Sequence, residues 1–285
     1  MTTRRPLVTA LLIPLAGCQL IFKLSDVPVD GSPGDDGGGD DGVVEQPCWD
    51  EGLTNNEDLD LEVDGCDNCP AIKNDGQANA DGDEVGDACD PHPNLDDEIL
   101  YFEGFSNLGA SSAWQTKGGN WQIQDGQYKQ LLSAGDAVAV HGGLYTNATV
   151  EIFYSGVDDP TTGIKQAGAY LWTVSQTPMS QTPPGVRCFE SRKQGGDQLV
   201  IRDEPNTFEV PVQLPGDRAL TTRLRIVSKP EGFENMIYCE ARRGDKTLAP
   251  IMSGHLSSPG YVALHTTGTR INVHSVFVTA LKSDE

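Results

Sequence analysis

Basic side chains are almost absent from one long stretch of this 285-residue sequence. Residues 26–98 contain 24 of the 42 acidic residues and a single base, Lys73, which gives this stretch a formal charge of −23 (24 acids less one base). Residues 99–285 are nearly balanced, with 18 acids and 16 bases. Because no stripe of Lys and Arg is present to contact phosphates, nucleic acid is not an expected partner. The concentrated acidity instead predicts cation binding within residues 26–98.

Long apolar runs are scarce as well. The uncharged run Leu7–Ala16 is shorter than the roughly 20 apolar residues that a transmembrane helix needs, and no other segment of the sequence is a candidate. It follows Arg4 and Arg5 and precedes small residues. This order predicts a secretory signal peptide over residues 1–17.

The end of the signal sequence, Leu15-Ala16-Gly17-Cys18, resembles the lipobox of bacterial lipoproteins. The resemblance implies cleavage before Cys18 and acylation of that cysteine, which would anchor the chain outside the cytoplasm, on an outer membrane or the cell surface. The alternative is an ordinary signal peptide followed by an unrelated cysteine. Residues 18–47 are rich in Gly and Asp, and this composition predicts a flexible linker behind the anchor.

Motifs for catalysis are also missing. The sequence contains no Glu-x-Asp-x-Glu or Glu-x-Asp-x-x-Glu motif, no Gly-x-Ser-x-Gly motif and no His-Glu-x-x-His motif. The glutamates in strand-like runs stand singly, at Glu151, Glu190, Glu209 and Glu240. The sequence therefore favours a binding protein. A carbohydrate-active hydrolase that assembles its carboxylates from separate strands is the alternative.

Two acidic loops with the same spacing lie between Cys48 and Asp90, offset by 23 residues. If the Asn of each loop is position 1, oxygen-bearing side chains occupy positions 1, 3, 5, 9 and 12, the spacing with which a 12-residue loop surrounds Ca²⁺. A main-chain carbonyl at position 7 completes such a site. Position 6 departs from an EF-hand, because Leu61 and Glu84 replace the usual Gly. The candidate Ca²⁺ ligands are Asn56, Asp58, Asp60, Glu62, Asp64 and Asp67 in the first loop, and Asn79, Asp81, Asp83, Val85, Asp87 and Asp90 in the second.

This segment resembles thrombospondin type 3 repeats, in Asp67-Asn68-Cys69-Pro70, Asn74, Gln77 and the run Asp81–Asp90. The second loop is closer to that pattern than the first. The resemblance implies Ca²⁺ bound by acidic side chains and disulfides that hold a segment with little apolar core. The alternative is an acidic disordered spacer.

Seven cysteines become six if Cys18 is acylated, an even number that suits a secreted, disulfide-bonded chain. Six cysteines permit 15 pairings. The repeat alignment favours Cys48–Cys66 and Cys69–Cys89, one disulfide for each loop, and leaves Cys188–Cys239 in the C-terminal region. A zinc site is the competing interpretation, but oxygen ligands outnumber sulfur ligands here. We expect the two repeats to occupy residues 48–93 and to stiffen a stalk.

Short strand-like runs separated by Gly, Pro, Asp and Ser fill residues 98–285, and no amphipathic helix is evident. The strongest local signal is Asn120–Gln130, where apolar residues alternate on both sides of Asp125-Gly126 and predict a tight hairpin. The sequence therefore predicts an all-β fold: a two-sheet antiparallel jelly-roll sandwich, preceded by disulfide-linked calcium-loop repeats and a disordered tether.

A second resemblance, across residues 98–285, is to concanavalin A-like lectin/glucanase domains, including laminin-G-like domains. The residues that carry it are Phe102-Glu103-Gly104-Phe105, Trp114, Gly119-Asn120-Trp121, Asp125-Gly126, Leu224-Arg225-Ile226, Gly260–Leu264 and Val273–Leu281. It implies an adhesion or binding domain for a glycan or a surface protein. Aromatic rings that could stack on a sugar are Tyr154, Tyr170 and Trp172, and the alternative is that these rings belong to the core.

Overall fold

The computed structural model describes residues 48–161, 163–173, 184–204, 208–231, 234–254 and 259–282. The predicted signal peptide, Cys18 and the linker to residue 47 lie outside these ranges. The described residues fall in one compact unit, Gln46–Glu285. No helix within them is long and apolar enough to cross a membrane.

Fifteen β-strands and one short 3₁₀ helix, Leu108–Ala113, make up the regular structure of these ranges. The strands are β1 Asp97–Glu103, β2 Trp114–Lys117, β3 Trp121–Gln124, β4 Gln127–Gln130, β5 Asp136–Tyr145, β6 Ala148–Ser155, β7 Lys165–Thr173, β8 Gly185–Lys193, β9 Gly196–Glu204, β10 Phe208–Gln213, β11 Thr222–Glu231, β12 Glu234–Arg243, β13 Lys246–Gly254, β14 Gly260–Thr267 and β15 Ile271–Leu281.

The strands form two antiparallel sheets. Sheet A has the order β13-β12-β11-β6-β15-β4-β3, with β1 also paired to β15. Sheet B has the order β10-β9-β8-β7-β14-β5-β2. The sheets face each other across a continuous apolar core that includes Ile152 and Leu224 of sheet A and Leu171 and Leu264 of sheet B. This jelly-roll head, residues 97–282, confirms the predicted all-β sandwich.

The structure confirms two predictions made from the sequence, the hairpin at Asp125-Gly126 and the pairing of the cysteines. Asp125 and Gly126 both have positive φ, 54° and 66°, which is the left-handed geometry that a two-residue hairpin between β3 and β4 requires. Three disulfides pair Cys48 with Cys66, Cys69 with Cys89 and Cys188 with Cys239, the pairing predicted from the repeats. The third joins β8 of sheet B to β12 of sheet A through the core.

The acidic segment packs against sheet A and does not stand apart as the expected stalk. Val85 and the Cys69–Cys89 disulfide share a small apolar cluster with Ile99, Phe102 and Phe277 of the head. The acidic segment, for which a disordered spacer was the alternative interpretation, thus contributes an apolar face. That face buries the outward side of β1 and β15, which explains why the segment and the head form one unit.

A buried histidine adds polar contacts to the same interface. His92 Nδ1 lies 2.9 Å from Asp97 Oδ2, and His92 Nε2 lies 2.9 Å from the Ser228 carbonyl oxygen on β11. The side chains of His92 and Asp97 are fully buried. The imidazole therefore links the end of the second loop to both β1 and β11.

Candidate functional site

The two acidic loops have the same hydrogen-bonded framework. Asn56 Nδ2 donates to the Asp60 carbonyl at 3.1 Å, while Asn56 Oδ1 accepts from the Leu59 N–H at 2.7 Å. Asn79, 23 residues later, makes the two equivalent bonds at 2.7 and 2.8 Å. Side-chain oxygens that accept from the backbone a few residues away are how Asn and Asp shape turns. The repeat in sequence is therefore also a repeat in structure.

The aspartate at position 9 of each loop accepts a hydrogen bond from a backbone N–H group on the other side of the loop. Asp64 Oδ1 accepts from the Glu57 N–H at 3.0 Å, and Asp87 Oδ1 accepts from the Ala80 N–H at 2.7 Å. Each of these carboxylates closes its loop by bonding across it. Asp64 and Asp87, predicted as metal ligands from spacing, therefore have one oxygen already engaged.

Three carboxylates of the first loop converge. Asp58, Asp60 and Asp67 each offer one oxygen, and the three atoms lie within 4.8 Å of one another. Asp60 and Asp67 are buried, and the buried Oδ2 of Asp58 has no hydrogen-bond partner in the described structure. Adjacent carboxylates repel one another unless a proton or a cation compensates them. An all-oxygen donor set with an unsatisfied buried oxygen fits Ca²⁺.

Asp58 and Asp67 of this cluster, and Asp64 nearby in the same loop, are poorly compensated by the protein itself. Burial raises the pKa of Asp58, raises that of Asp67 to about 6 and raises that of Asp64 to about 7. Hydrogen bonds from backbone N–H groups to all three, the Gln77 amide bonded to Asp67 and the charge of Lys73 near Asp58 oppose these shifts without cancelling them. The ionised carboxylates therefore lack sufficient positive charge nearby, which a divalent cation would supply.

The side chain of Asn74 completes this cluster, although loop spacing did not predict it. Its Oδ1 lies 3.2 Å from Asp60 Oδ2, 3.3 Å from Asp67 Oδ1 and 3.1 Å from the Ile72 carbonyl oxygen. Its Nδ2 donates to Asn68 Oδ1 at 2.7 Å. Rotating the amide would turn Nδ2 toward the first three oxygens, and it would also bring two amide oxygens to 2.7 Å. In the first orientation Asn74 Oδ1 also accepts from Gln77 Nε2 at 3.2 Å. A cation bound among these oxygens would favour that orientation, with Asn74 Oδ1 and the Ile72 carbonyl as further ligands. The presence of Asn74 in the thrombospondin-like motif was the available signal.

The second loop, although closer to the repeat pattern, does not form an equivalent group. Among the described residues, only the first loop brings three carboxylates so close together. In the second loop Asp83 Oδ2 accepts from the Asp97 N–H at 2.7 Å, and Asp83 Oδ1 accepts from the Val85 N–H at 2.7 Å. Burial raises the pKa of Asp90 to about 6. Asp83 thus helps to hold the start of β1.

The rings predicted to stack on a sugar are not exposed. Tyr154 is 0% exposed within the core between the sheets, and its hydroxyl donates to Glu190 Oε2 at 3.1 Å. Tyr170 is also 0% exposed, packed with Val138 and Val140 on the other face of sheet B. The side chain of Trp172 lies outside the described residues. The interpretation of Tyr154 and Tyr170 as a sugar platform is therefore wrong, because a fully buried ring offers no face to a ligand.

The strand glutamates are held by arginines. Glu151 is buried on the loop-facing side of sheet A, where Arg223 Nη2 and Arg225 Nε each lie 2.7 Å from its Oε2. Burial by itself raises the pKa of Glu151, but Arg225 and Arg223 outweigh it and hold the pKa below its usual value. Glu190 is buried between Arg192 and Arg243. Neither carboxylate is open to a substrate.

The remaining two strand glutamates are Glu240 and Glu209. Glu240 lines a pocket of about 130 Å³ with Arg223, Arg225 and Arg242. The side chain of Glu209 lies outside the described residues. Glu240 thus has cationic neighbours on several sides, and no second carboxylate of the described residues lines the same pocket.

A polar cleft of about 750 Å³ opens at one end of the sandwich. The turns after β6, before β11 and before β15 form its walls. Its charged lining residues are Asp158, Asp159, Arg192, Asp217, Arg218 and Arg270.

Ion pairs orient the arginine side chains of the cleft, and one of their partners, Asp197, is buried. Arg218 Nη2 donates to Asp197 Oδ1 at 2.7 Å, and Arg218 Nη1 donates to Asp159 Oδ1 at 3.2 Å. Asp197 is itself buried and accepts from Arg243 Nη1 at 3.1 Å. Arg270 Nη2 donates to Asp158 Oδ1 at 2.6 Å. The cleft therefore presents fixed donors and acceptors, an arrangement suited to hydroxyl-rich ligands.

The fold is similar to solved structures of lectin-like proteins. The legume lectin-like domain from Entamoeba histolytica superposes with a TM-score of 0.53 at 11% identity, covering 64% of this chain and 97% of that one. The head has a lectin-like jelly-roll fold. This confirms the predicted concanavalin A-like architecture, and at such identity the similarity establishes the fold alone.

Two other similar structures are a Bacillus licheniformis beta-glucanase and the exoplasmic/lumenal domain of VIP36 in a Ca²⁺/Man2-bound form. The first has a TM-score of 0.45 at 13% identity and covers 64% of this chain and 98% of that one. The second has a TM-score of 0.47 at 9% identity and covers 64% and 88%. No protein-family model matches the sequence, and no curated protein matches it.

Proposed function

We propose that this protein is a membrane-anchored, calcium-stabilised binding protein outside the cytoplasm, and that its jelly-roll head binds a glycan. The observation that carries the proposal is the convergence of Asp58, Asp60 and Asp67 within a segment docked on a lectin-like sandwich. The lipobox resemblance of residues 15–18 supports the anchor.

Calcium has a structural role in this proposal. Asp58, Asp60, Asp67, Asn74 and the Ile72 carbonyl hold the ion, which supplies the positive charge that the buried carboxylates lack. Because metal binding to the folded state stabilises it by mass action, occupancy of the first loop strengthens the whole segment. The docked segment in turn covers the outward side of β1 and β15.

The glycan occupies the polar cleft at the end of the sandwich. Sugar hydroxyls both donate and accept hydrogen bonds, and the cleft offers carboxylates from Asp158, Asp159 and Asp217 beside the guanidinium groups of Arg218 and Arg270. The buried Asp197 holds Arg218, and Asp158 pairs with Arg270, before a ligand arrives, which lowers the entropic cost of binding.

Calcium uptake is tested by isothermal titration calorimetry on the full chain, together with limited proteolysis with and without chelator. We expect heat of binding, protection of residues 48–90 by Ca²⁺, and an affinity at least about tenfold weaker in Asp60→Asn. Glu51→Gln, an exposed carboxylate outside the cluster, is the matched control. Absence of binding heat together with an unchanged protease pattern would rule out the calcium role.

Glycan binding is tested on a glycan array, followed by titration of any ligand that is found. We expect Asp159→Asn and Asp217→Asn to weaken binding at least about tenfold, because an amide replaces a carboxylate acceptor. Asp245→Asn, an exposed carboxylate outside the cleft, should bind normally. No ligand above background, or equal binding by all three variants, would contradict the glycan proposal.

The anchor is tested by replacing the predicted acylation site. Cys18→Ser should move the protein from the membrane fraction to the soluble fraction and abolish incorporation of a labelled fatty acid. Unchanged labelling would show that Cys18 is not the lipidated residue.

A further inference from the structure

Five neighbouring strands of sheet A place one residue each in a row across the sheet. In register, these residues are Thr247 of β13, Arg242 of β12, Arg223 of β11, Phe153 of β6 and Ser275 of β15. Phe153 lies two residues after Glu151, so the row is on the same, loop-facing side of the sheet. Neighbouring strands are about 4.8 Å apart, which makes the row about 19 Å long.

Three cavities follow this row and share lining residues. The first, of about 130 Å³, is the pocket of Glu240, and it shares Arg223 and Arg242 with a second cavity of about 320 Å³. The second shares Phe153 and Thr221 with a third of about 210 Å³. We call the three together the arginine groove. None of the residues that line the polar cleft at the end of the sandwich lines this groove.

The docked acidic segment forms the opposite wall of the groove. Ala71 and Ile72, both partly buried, line the second cavity beside Arg223 and Arg242. The three clustered carboxylates of the first loop are not among the residues that line the groove. The side of the segment that borders the two arginines is therefore apolar, although the segment as a whole is acidic.

Two cations of the groove stand directly opposite each other. Arg223 and Arg242 are cross-strand partners, and like charges in such a pair destabilise a sheet. Arg223 shares the carboxylate of Glu151 with Arg225. Arg242 has no carboxylate partner among the described residues, and its Nε donates to the Gly244 carbonyl at 3.2 Å. The described protein therefore supplies too little negative charge for this pair of guanidinium groups.

The pKa of Arg223 indicates the same shortage. Its side chain is only 17% exposed, and burial lowers its pKa. Glu151 opposes this shift, while the charge of Arg225 adds to it. Arginine stays protonated in proteins, so its charge persists in this site. An anionic group from outside the molecule would compensate it.

Acidic residues at both ends of the groove limit the charge of a ligand. Glu240 lines the first cavity and Glu57 lines the third. The whole chain has a formal charge of −22, so its field repels a polyanion. A molecule with a row of carboxylates therefore meets repulsion at both ends of the groove. A single carboxylate within a neutral molecule fits the charges better.

The remaining lining of the groove suits a molecule rich in hydroxyl groups. The partly buried ring of Phe153 lies in the middle of the row, with Arg223 Cζ 5.8 Å from the ring centroid. Side chains that both donate and accept hydrogen bonds also line the groove: Thr221, Thr247, Ser275 and His274. An aromatic surface with a few polar groups is typical of ligand sites.

We propose that the arginine groove binds a sugar acid, that is, one carboxylate-bearing sugar within an otherwise neutral oligosaccharide. The carboxylate lies between Arg223 and Arg242, because guanidinium groups match a carboxylate in charge and geometry. The sugar ring packs on Phe153, and its hydroxyls bond to Thr221 and Thr247. This site is separate from the polar cleft and does not depend on a ligand there.

The test is titration calorimetry on the full chain in saturating calcium with two matched trisaccharides. One contains a single glucuronic acid, and the other has glucose in its place. Octanoate and the capped peptide Ala-Glu-Ala present one carboxylate on an acyl chain or a peptide. The diagnostic variant is Arg242→Gln, and the control is Lys246→Gln, which removes an exposed cation outside the groove. Thermal unfolding confirms that both variants fold.

We expect the parent to bind the acidic trisaccharide at least about tenfold more tightly than the neutral one, because a carboxylate gains charged hydrogen bonds. Arg242→Gln should abolish this preference, and Lys246→Gln should keep it. Equal binding of the two trisaccharides, or no binding of either, overturns the proposal. A preference that persists in Arg242→Gln overturns the location. Octanoate or the peptide binding as tightly as the acidic trisaccharide overturns the sugar assignment.

The cleft variants separate this site from the proposed glycan site. Asp159→Asn and Asp217→Asn should leave the preference for the acidic trisaccharide unchanged, because neither residue lines the arginine groove. Loss of glycan binding in the cleft together with an intact preference supports the groove as an independent site. Loss of the preference in these two variants assigns the carboxylate to the cleft and overturns the groove.

Discussion

Arg225 on β11 donates through Nη2 to the main-chain carbonyl of Cys89 at 2.6 Å. The same guanidinium donates through Nε to Glu151 Oε2 at 2.7 Å. One arginine therefore ties the end of the second acidic loop to sheet A and compensates a buried carboxylate on the neighbouring strand. The contact joins residues 136 positions apart in sequence, so it forms only when segment and head are folded together.

Removing this guanidinium should loosen the docked segment. Arg225→Met keeps the aliphatic stem but leaves Glu151 with Arg223 alone and the Cys89 carbonyl without its donor. We expect a loss of about 2–4 kcal/mol in the free energy of unfolding, because one partner of a buried charge pair is gone. Denaturant unfolding and protease sensitivity of residues 48–90 measure the effect. Arg242→Met, at an exposed position on β12, should cost under about 0.5 kcal/mol. Equal stability of the two variants would contradict the role of Arg225.

Asn74 should contribute to cation binding although it lies outside the loop spacing. Asn74→Ala removes the amide oxygen that faces Asp60 and Asp67, and we expect the affinity of the first loop for Ca²⁺ to fall about tenfold or more. Titration calorimetry measures the change. Asn55→Ala, at an exposed neighbouring residue, is the control. An unchanged dissociation constant in Asn74→Ala would show that the amide is not a ligand.

Stability should fall in acid through His141. This imidazole is buried in an aromatic cluster, with the Tyr101 ring centroid at 4.1 Å, and its Nδ1 accepts from the Tyr145 hydroxyl at 2.8 Å and the Gly143 N–H at 3.2 Å. Burial lowers the pKa of His141 from 6.5 to about 4. The folded state therefore resists protonation. The contribution of His141 is complete above pH 6.5 and is lost as the pH falls toward 4.

The loss between those pH values is about 2–3 kcal/mol if His141 acts alone. Denaturant unfolding as a function of pH, in saturating calcium, measures it as the difference between the parent and His141→Gln. The difference removes the contribution of carboxylates that titrate in the same range. Parallel pH profiles for the two proteins would contradict the prediction, and the imidazole proton shift in NMR reports the pKa directly.

Gly168 should be irreplaceable in β7. A β-carbon there would stand 2.1 Å from the Cys188 carbonyl oxygen and 2.6 Å from the Phe189 Cα on β8, both parts of the backbone. Gly168→Ala must separate two central strands, and we expect a cost of about 2 kcal/mol or more. Gly195→Ala, in the turn between β8 and β9 where nothing lies within 4 Å, should cost under about 0.5 kcal/mol. Thermal unfolding of the two variants compares them.

Local patterns explain which predictions succeeded. The Asp125-Gly126 turn and the loop bonds of Asn56 and Asn79 each join residues only a few positions apart. Glycine conformation and short polar side chains determine such features without help from distant residues. The alternation of apolar residues in the short runs of residues 98–285 predicted strands for the same reason.

The burial of the charged residues on strand β8 could not be predicted from the sequence. Arg187, Glu190 and Arg192 interrupt its apolar residues, yet all three are buried. Glu190 meets Arg243 of β12, and that arginine is 53 positions away in the sequence (243 less 190). Periodicity cannot show that a distant strand will supply the compensating charge.

The sequence by itself determined the local features: the shape of the two acidic loops, the hairpin, the pairing of the loop cysteines and the alternating strands of a sandwich. Each depends on interactions within about two dozen residues. Only the tertiary structure decided that the loop segment packs on sheet A, that Tyr154 and Tyr170 are buried, and that Asn74 joins the carboxylate cluster. Those outcomes depend on which surfaces pack against each other in the folded protein. The local periodicity of the sequence does not show which distant segments will bury one another.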